Sequence, residues 1–173
     1  PWMVKVAGYS PTQAAAGLFA INLSMLCTFW LWGMVNPGLA RRGLAPERLI
    51  TYGLPLSFIP LGLIIWLGAG AGWGLWALFC VSSTFVSLSQ PAVAMAMPAQ
   101  AAGRALSAFN LVIFTGVFAV QWGIGLAIDA LSALGWSEPD RFRGAIALFG
   151  LCCLLAYMAF WRAGHRVTAR KAR

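Results

Sequence analysis

Residues 106–131 decide the fold class, and they read LSAFNLVIFTGVFAVQWGIGLAIDAL. No Lys or Arg interrupts this stretch, and its single acid, Asp129, lies near its end. An α-helix needs about 20 mostly apolar residues to cross a hydrocarbon core about 30 Å thick. The stretch is long enough, so it predicts a transmembrane helix.

Four further apolar runs share this character, and together the runs fill most of the 173-residue chain. The predicted spans are approximately residues 14–35, 49–67, 73–97, 106–131 and 144–161. The composition agrees, because 61% of the residues are hydrophobic and only 9% are charged, against about 25% charged residues in an average soluble domain. The sequence predicts an all-α integral membrane protein whose five transmembrane helices occupy residues 1–163.

Lys and Arg residues fall mostly in alternate loops, which predicts the orientation of the chain. With the N-terminus outside, the inside segments carry Arg41, Arg42, Arg48, Arg104, Arg162, Arg166, Arg170, Lys171 and Arg173. The outside segments carry Lys5, Arg141 and Arg143. Since cytoplasmic loops carry an excess of Lys and Arg, residues 164–173 are predicted to form a basic cytoplasmic tail that contacts anionic lipid. This placement accounts for the net charge of +8, and no nucleic-acid partner is predicted.

The ionisable side chains do not form a pattern typical of an enzyme. An intramembrane enzyme normally needs a nucleophile with a base, a carboxylate pair or a metal cluster. The four cysteines lie inside apolar runs, where a free thiol behaves as a small hydrophobe, and His165 lies in the basic tail. Asp129 either couples to a proton at membrane depth or is hydrated or paired with an Arg at the interface. We predict no catalytic residue, no cofactor and no metal site.

The third span carries a polar stripe. Ser83, Ser87 and Gln90 lie on one side of a helix at about 100° per residue, and Pro91 directly follows Gln90. A proline inside a membrane helix is tolerated where polar groups or water satisfy the freed backbone group. The stripe therefore predicts a bend beside an aqueous cavity. The alternative role of each serine is to bond back to the carbonyl four residues earlier in its own helix.

The fourth span separates two faces. Asn110 and Gln121 are eleven residues apart, about three turns, so they project to nearly the same side, with Phe114 and Phe118 between them. This face is predicted to line a cavity, where amides hydrogen-bond a solute and aromatic rings stack on it. The opposite face carries small residues that let another helix approach closely in lipid. These small residues are Gly116, Ala119, Gly123 and Ala127.

The first span begins with a helix-start pattern and contains one amide. Ser10, Pro11 and Gln13 are typical of an N-cap, a first helical position and a capping-box partner. Asn22 is expected to face protein or a cavity, because an amide facing lipid lacks partners. It is the weaker candidate for solute contact, and an interhelical hydrogen bond is the other possibility.

The second and fifth spans are apolar on almost every side. The second span also holds Pro55 and Pro60, which bend a helix, within an otherwise apolar stretch. Helices that are apolar all round are those that can face lipid. These two spans are therefore predicted to form the outer wall.

Three stretches resemble members of the major facilitator superfamily. Residues 33–43, GMVNPGLARRG, resemble the cytoplasmic loop between the eighth and ninth helices of that family. The positions that fit its signature G-x-x-x-D-R-x-x-R-R-G are Gly33, Arg41, Arg42 and Gly43, while Pro37 and Gly38 replace its Asp and first Arg. Residues 103–110 and 121–129 resemble the start and end of the eleventh helix of bacterial members.

The resemblance implies that the chain covers the end of helix seven and helices eight to twelve of a twelve-helix permease. It implies a secondary active transporter of a small solute in the cell inner membrane, whose partner is the N-terminal half of the same transporter. The predicted solute contacts are Gln90, Asn110, Gln121 and Asn22. The cytoplasmic residues predicted to lie near lipid headgroups or gate contacts are Arg41, Arg42 and Arg104.

A second hypothesis is a non-transporting membrane scaffold or truncated transporter remnant, whose helices pack without forming a path for solute. The chain opens with Pro1 rather than Met, which is typical of a piece of a longer protein. Pro1 and Trp2 are expected to be the last residues of a preceding helix.

Overall fold

The computed structural model describes the backbone of residues 1–171 and the side chains of residues 1–164. Within that part every regular element is helical. The elements are α1 (Trp2–Lys5), α2 (Pro11–Arg41), α3 (Pro46–Gly53), a 3-10 segment (Leu54–Ser57), α4 (Phe58–Leu67), a 3-10 turn (Gly68–Gly70), α5 (Trp73–Ser83), a 3-10 segment (Thr84–Leu88), α6 (Ser89–Ala96), α7 (Ala99–Ala133) and α8 (Glu138–Lys171).

Five helical stretches are long and apolar enough to cross a membrane. They are Pro11–Arg41, Pro46–Gly70, Trp73–Ala96, Ala99–Ala133 and Glu138–Gly164. The prediction of an all-α, multi-pass membrane protein with five spans is confirmed. The predicted basic tail lies, beyond Gly164, outside the residues whose side chains are described.

The first span begins as predicted and ends later than predicted. Ser10 Oγ accepts a hydrogen bond from the backbone N–H of Gln13 at 3.2 Å, and Gln13 Oε1 accepts one from Ser10 at 2.9 Å. The predicted end at residue 35 is wrong, because α2 continues through Pro37 to Arg41. An internal proline removes one backbone hydrogen bond, and the following turns still form. The chain turns instead at Gly43, whose φ of +78° suits a glycine.

The third span is interrupted by a 3-10 segment, and hydroxyl groups in and beside this segment bond to nearby carbonyls. Five hydroxyls donate to the carbonyl three residues earlier, at 2.6 to 3.0 Å. The donors are Ser82, Ser83, Thr84, Ser87 and Ser89. Such bonds compete with regular helix geometry, and Pro91 supplies no N–H to the helix. The backbone accordingly adopts a 3-10 conformation over Thr84–Leu88.

The third span is the centre of the bundle. α5 packs against α2 and α4, and α6 packs against α3 and α7. α7 pairs with α8, and α8 returns to α4. This order places the polar stripe of the third span beside the fourth span, where the predicted solute contacts Asn110 and Gln121 lie.

The second span is buried more than an outer wall would be. Leu61 and Ile64 are buried, Ile64 completely, while Leu56 and Ile59 face outward. The prediction that this span belongs wholly to the outer wall is therefore wrong for its inner side. An almost uniformly apolar helix gives no sequence signal for which side packs against protein.

The N-terminal segment packs over one end of the bundle. Trp2 is buried, and its Nε1 donates to the carbonyl of Ala71 at 3.2 Å. Trp2 is the first residue of α1, a single turn, and Lys5 at its end pairs with Glu138 at 2.9 Å. α1 therefore ties the first residues to the beginning of α8.

Candidate functional site

Two of the predicted solute contacts, Gln90 on α6 and Asn110 on α7, lie together. Gln90 Nε2 donates to Asn110 Oδ1 at 3.4 Å, which is longer than the usual N–H···O distance of about 2.9 Å. Both side chains are exposed. The pair leaves Gln90 Oε1 as an acceptor and Asn110 Nδ2 as a donor on one surface. A long, exposed amide contact of this kind is readily exchanged for a solute or water.

Gln121 and Asn22 do not join this pair. Gln121 is exposed and lies about 16 Å further along the axis of α7 than Asn110, at about 1.5 Å per residue. Asn22 Nδ2 donates to the carbonyl of Leu18, within its own helix, at 2.8 Å. The structure thus places the amide donor of Asn22 in a local hydrogen bond.

The exposed side of α7 is aromatic between its two amides. Phe114 and Phe118 are each 70% exposed, and Leu111 and Trp122 are similarly open. No residue of α7 is buried. The amides on such a face need water or another polar partner, because hydrocarbon offers no hydrogen bonds to an amide.

The predicted packing face of α7 lies across an open groove from α8. Ala119, Gly123 and Ala127 line a cavity of about 260 Å³. A Cβ atom added at Gly116 or Gly123 would meet no other atom within 4 Å. The close approach of the two helices is instead at Gly144, where an added Cβ would lie 2.8 Å from Leu131 Cδ1. The close-packing role of the small residues remains a prediction.

A junction of three spans supports the start of α6. Trp32 Nε1 on α2 donates to Thr84 Oγ1 at 3.0 Å, and Thr84 is buried. The ring of Phe85 stacks edge to face on Trp32, with centroids 5.0 Å apart. On another side, Phe85 lies so close to Gly53 that no methyl group would fit between them. Gln90 follows this junction after five residues.

Sequence reasoning missed the residues of this junction. A signal for Trp32 was available, because an indole N–H in hydrocarbon needs an acceptor. The acceptor for the Trp32 indole N–H could not be identified from the sequence, because several hydroxyl groups of the third span were equally suitable. Ser83 and Ser87 do bond back within their own span, but the predicted partner is wrong, because each donates to the carbonyl three residues earlier rather than four.

The arginines and Gly43 of the predicted cytoplasmic motif lie at or near helix ends, whereas Gly33 lies within α2 and not in the predicted loop. Gly33 and Arg41 belong to α2, Arg42 is its C-cap and Gly43 follows directly. Arg104 lies in the second turn of α7. All three arginines are exposed, and their contact with lipid headgroups remains a prediction. Within the described residues no group of His, Cys, Asp and Glu is arranged to hold a metal ion.

No known family model matches the chain, and neither a curated protein nor a solved structure does. The resemblance to the major facilitator superfamily therefore remains a prediction based on residues 33–43, 103–110 and 121–129. The membrane class rests on its own evidence, which is the five candidate spans.

Proposed function

We propose that the chain is the C-terminal half of a secondary active transporter of a small solute in the cell inner membrane. The observation that supports the proposal best is the contact between Gln90 and Asn110, which belong to different spans. Unpaired amides are costly in hydrocarbon, so a membrane protein keeps exposed ones where they meet water, a solute or a partner. Such a place between spans is typical of a transporter site.

The surface around the amide pair supports the same function. Phe114 and Phe118 extend it along α7 as an uncovered aromatic wall, and Gln121 offers another amide further along. A solute site needs a few placed polar groups within apolar and aromatic walls. The N-terminal half of the transporter would cover this surface and complete the cavity.

The scaffold alternative gives the amide pair a different role. There, Gln90 and Asn110 only join two helices, as polar residues do in many membrane bundles. A purely structural amide bond is expected to be short and shielded, whereas this one is 3.4 Å long and exposed. The geometry therefore favours the transporter, and water access to the pair separates the two functions.

The experiment is thiol labelling in membrane vesicles. After the four native cysteines are replaced by alanine, Gln90→Cys, Asn110→Cys and Gln121→Cys are treated one at a time with a membrane-impermeant thiol reagent. Ile59→Cys is the control, because Ile59 is exposed on the outer side of an apolar span. The proposal predicts rapid labelling at the three amide positions and little at position 59. Labelling no faster than at position 59 would favour the scaffold.

A further inference from the structure

The position of Gln90 depends on the 3-10 segment Thr84–Leu88. Gln90 is the second residue of α6, and α6 begins directly after this segment. α6 is only eight residues long and ends at Ala96, and the backbone of the following residue, Met97, is extended at ψ 149°. A change in the backbone conformation of the 3-10 segment therefore moves α6, which is short and is followed by extended backbone.

Conversion of this segment into α-helix would turn α6 by a defined amount. A 3-10 helix advances about 120° and 2.0 Å per residue, and an α-helix advances about 100° and 1.5 Å. Over the five residues Thr84–Leu88 the difference is a rotation of about 100° and a shortening of about 2.5 Å. A rotation of this size moves the Gln90 side chain away from Asn110.

The hydroxyl groups of the third span allow both forms. In the observed form Thr84, Ser87 and Ser89 bond to carbonyls three residues earlier. Ser and Thr side chains in helices also bond the carbonyl four residues earlier, as Thr28 does in α2 at 2.7 Å. Pro91 offers no N–H in either form. Neither helix type therefore has a large hydrogen-bonding advantage.

Trp32 contacts the first two residues of the segment. Its Nε1 donates to Thr84 Oγ1, the first hydroxyl of the segment, at 3.0 Å. Its ring packs on Phe85, and Phe85 is confined on another side by Gly53. The first residues of the segment are thus fixed by spans one and two, while α6 beyond them contacts α3 and α7.

We propose that Thr84–Leu88 is a rotary switch whose conversion between 3-10 and α-helix makes and breaks the Gln90–Asn110 contact, with Trp32 as its positioning residue. The biological role of the switch rests on the proposed function, in which the amide pair contacts solute. The conformational change itself does not, because the distance between positions 90 and 110 is measurable without transport.

The test is chemical cross-linking of positions 90 and 110. The chain without its native cysteines receives Gln90→Cys and Asn110→Cys and is treated in lipid vesicles with a short bifunctional thiol reagent. Rapid cross-linking is expected from the observed geometry. Trp32→Phe, which keeps the ring beside Phe85, and Thr84→Val are then added singly. Each is expected to slow cross-linking by up to about fivefold, the factor by which loss of one hydrogen bond shifts a two-state equilibrium.

Two matched variants serve as controls. Trp30→Phe changes an indole of α2 that is 68% exposed, and Thr28→Val removes a hydroxyl that bonds within regular α-helix. Neither is expected to change the cross-linking rate. Unchanged rates in Trp32→Phe and Thr84→Val would overturn the proposal, and so would equal slowing in the two controls. If the impermeant thiol reagent does not label positions 90 and 110, while Trp32→Phe and Thr84→Val still slow cross-linking, only the proposed function is rejected.

Discussion

Arg143 on α8 binds the end of α4, because its Nε donates to the carbonyl oxygen of Ile65 at 3.0 Å. Nη2 of the same guanidinium donates to the carbonyl oxygen of Trp66 at 3.4 Å. The last carbonyls of a helix lack intrahelical donors, and a cation there also interacts favourably with the helix dipole. One side chain therefore joins the second span to the fifth.

Replacement of this arginine should weaken the bundle. Arg143→Ala removes the donors to the α4 carbonyls, and a hydrogen bond to a charged group contributes about 1.5–3 kcal/mol. We expect a loss near the lower end, because Arg143 is partly exposed. Thermal unfolding in detergent, followed by circular dichroism, measures it. Arg42→Ala, at the exposed end of α2, is the charge-matched control and should change the midpoint little. Equal midpoints for both variants would contradict the capping role.

A methyl group at Gly53 should destabilise the junction of the first three spans. The Phe85 ring leaves no space for it, and forced overpacking costs about 1–3 kcal/mol. Gly116→Ala is the matched control, because its new Cβ would meet open space and alanine is the better helix former. Denaturant titration of both variants is expected to show a loss for Gly53→Ala and none for Gly116→Ala. Equal stability of the two variants would contradict this expectation, because it would mean that the Phe85 ring moves aside to make room for the methyl group.

Tyr157→Phe should weaken the packing of α8 against α3. The Tyr157 hydroxyl donates to the carbonyl of Thr51 at 2.7 Å, and its ring packs edge to face on Phe58. The substitution keeps the ring and removes the hydrogen bond, so a loss of about 1 kcal/mol is expected. Tyr52→Phe, at a side chain that is 78% exposed, should be neutral in the same unfolding measurement. If Tyr157→Phe is as stable as the unchanged chain, the hydrogen bond to Thr51 does not stabilise the bundle.

The uncovered face of α7 should make the isolated chain prone to association. Gln121 and the exposed rings of Phe114 and Phe118 have no cover within the described chain. We expect the purified chain to dimerise or to be heterogeneous in mild detergent, and light scattering coupled to size exclusion measures its mass. A monodisperse, thermally stable monomer would contradict this expectation.

The five spans and the polar positions Gln90 and Asn110 were predictable, because each has a strong local pattern in the sequence. Hydropathy over about 20 residues identifies a membrane helix without tertiary information. The stripe that contains Gln90 and the face that contains Asn110 were each readable from helical periodicity. That the two residues touch required the packing of α6 on α7, which periodicity alone does not give.

The breaks within the spans were not predictable in the same way. Pro55 and Pro91 indicate bends, but the choice between bonds to the third and fourth preceding carbonyl depends on the backbone already formed. The role of Arg143 was also hidden, because a charge near a span end has many possible partners. The second span, almost uniformly apolar, carried no signal for its buried side.

Solute uptake is the most direct measurement of the proposed transport function and of the part that Gln90 and Asn110 play in it. Vesicles from cells that express the chain together with its proposed N-terminal half are assayed with a panel of labelled small solutes, beside vesicles in which the chain carries Gln90→Ala plus Asn110→Ala. We expect uptake of at least one solute above that of control vesicles, its loss in the double variant, and its retention in Ile59→Ala. Uptake that is indifferent to both amides, or equal to that of vesicles without the chain, would contradict it.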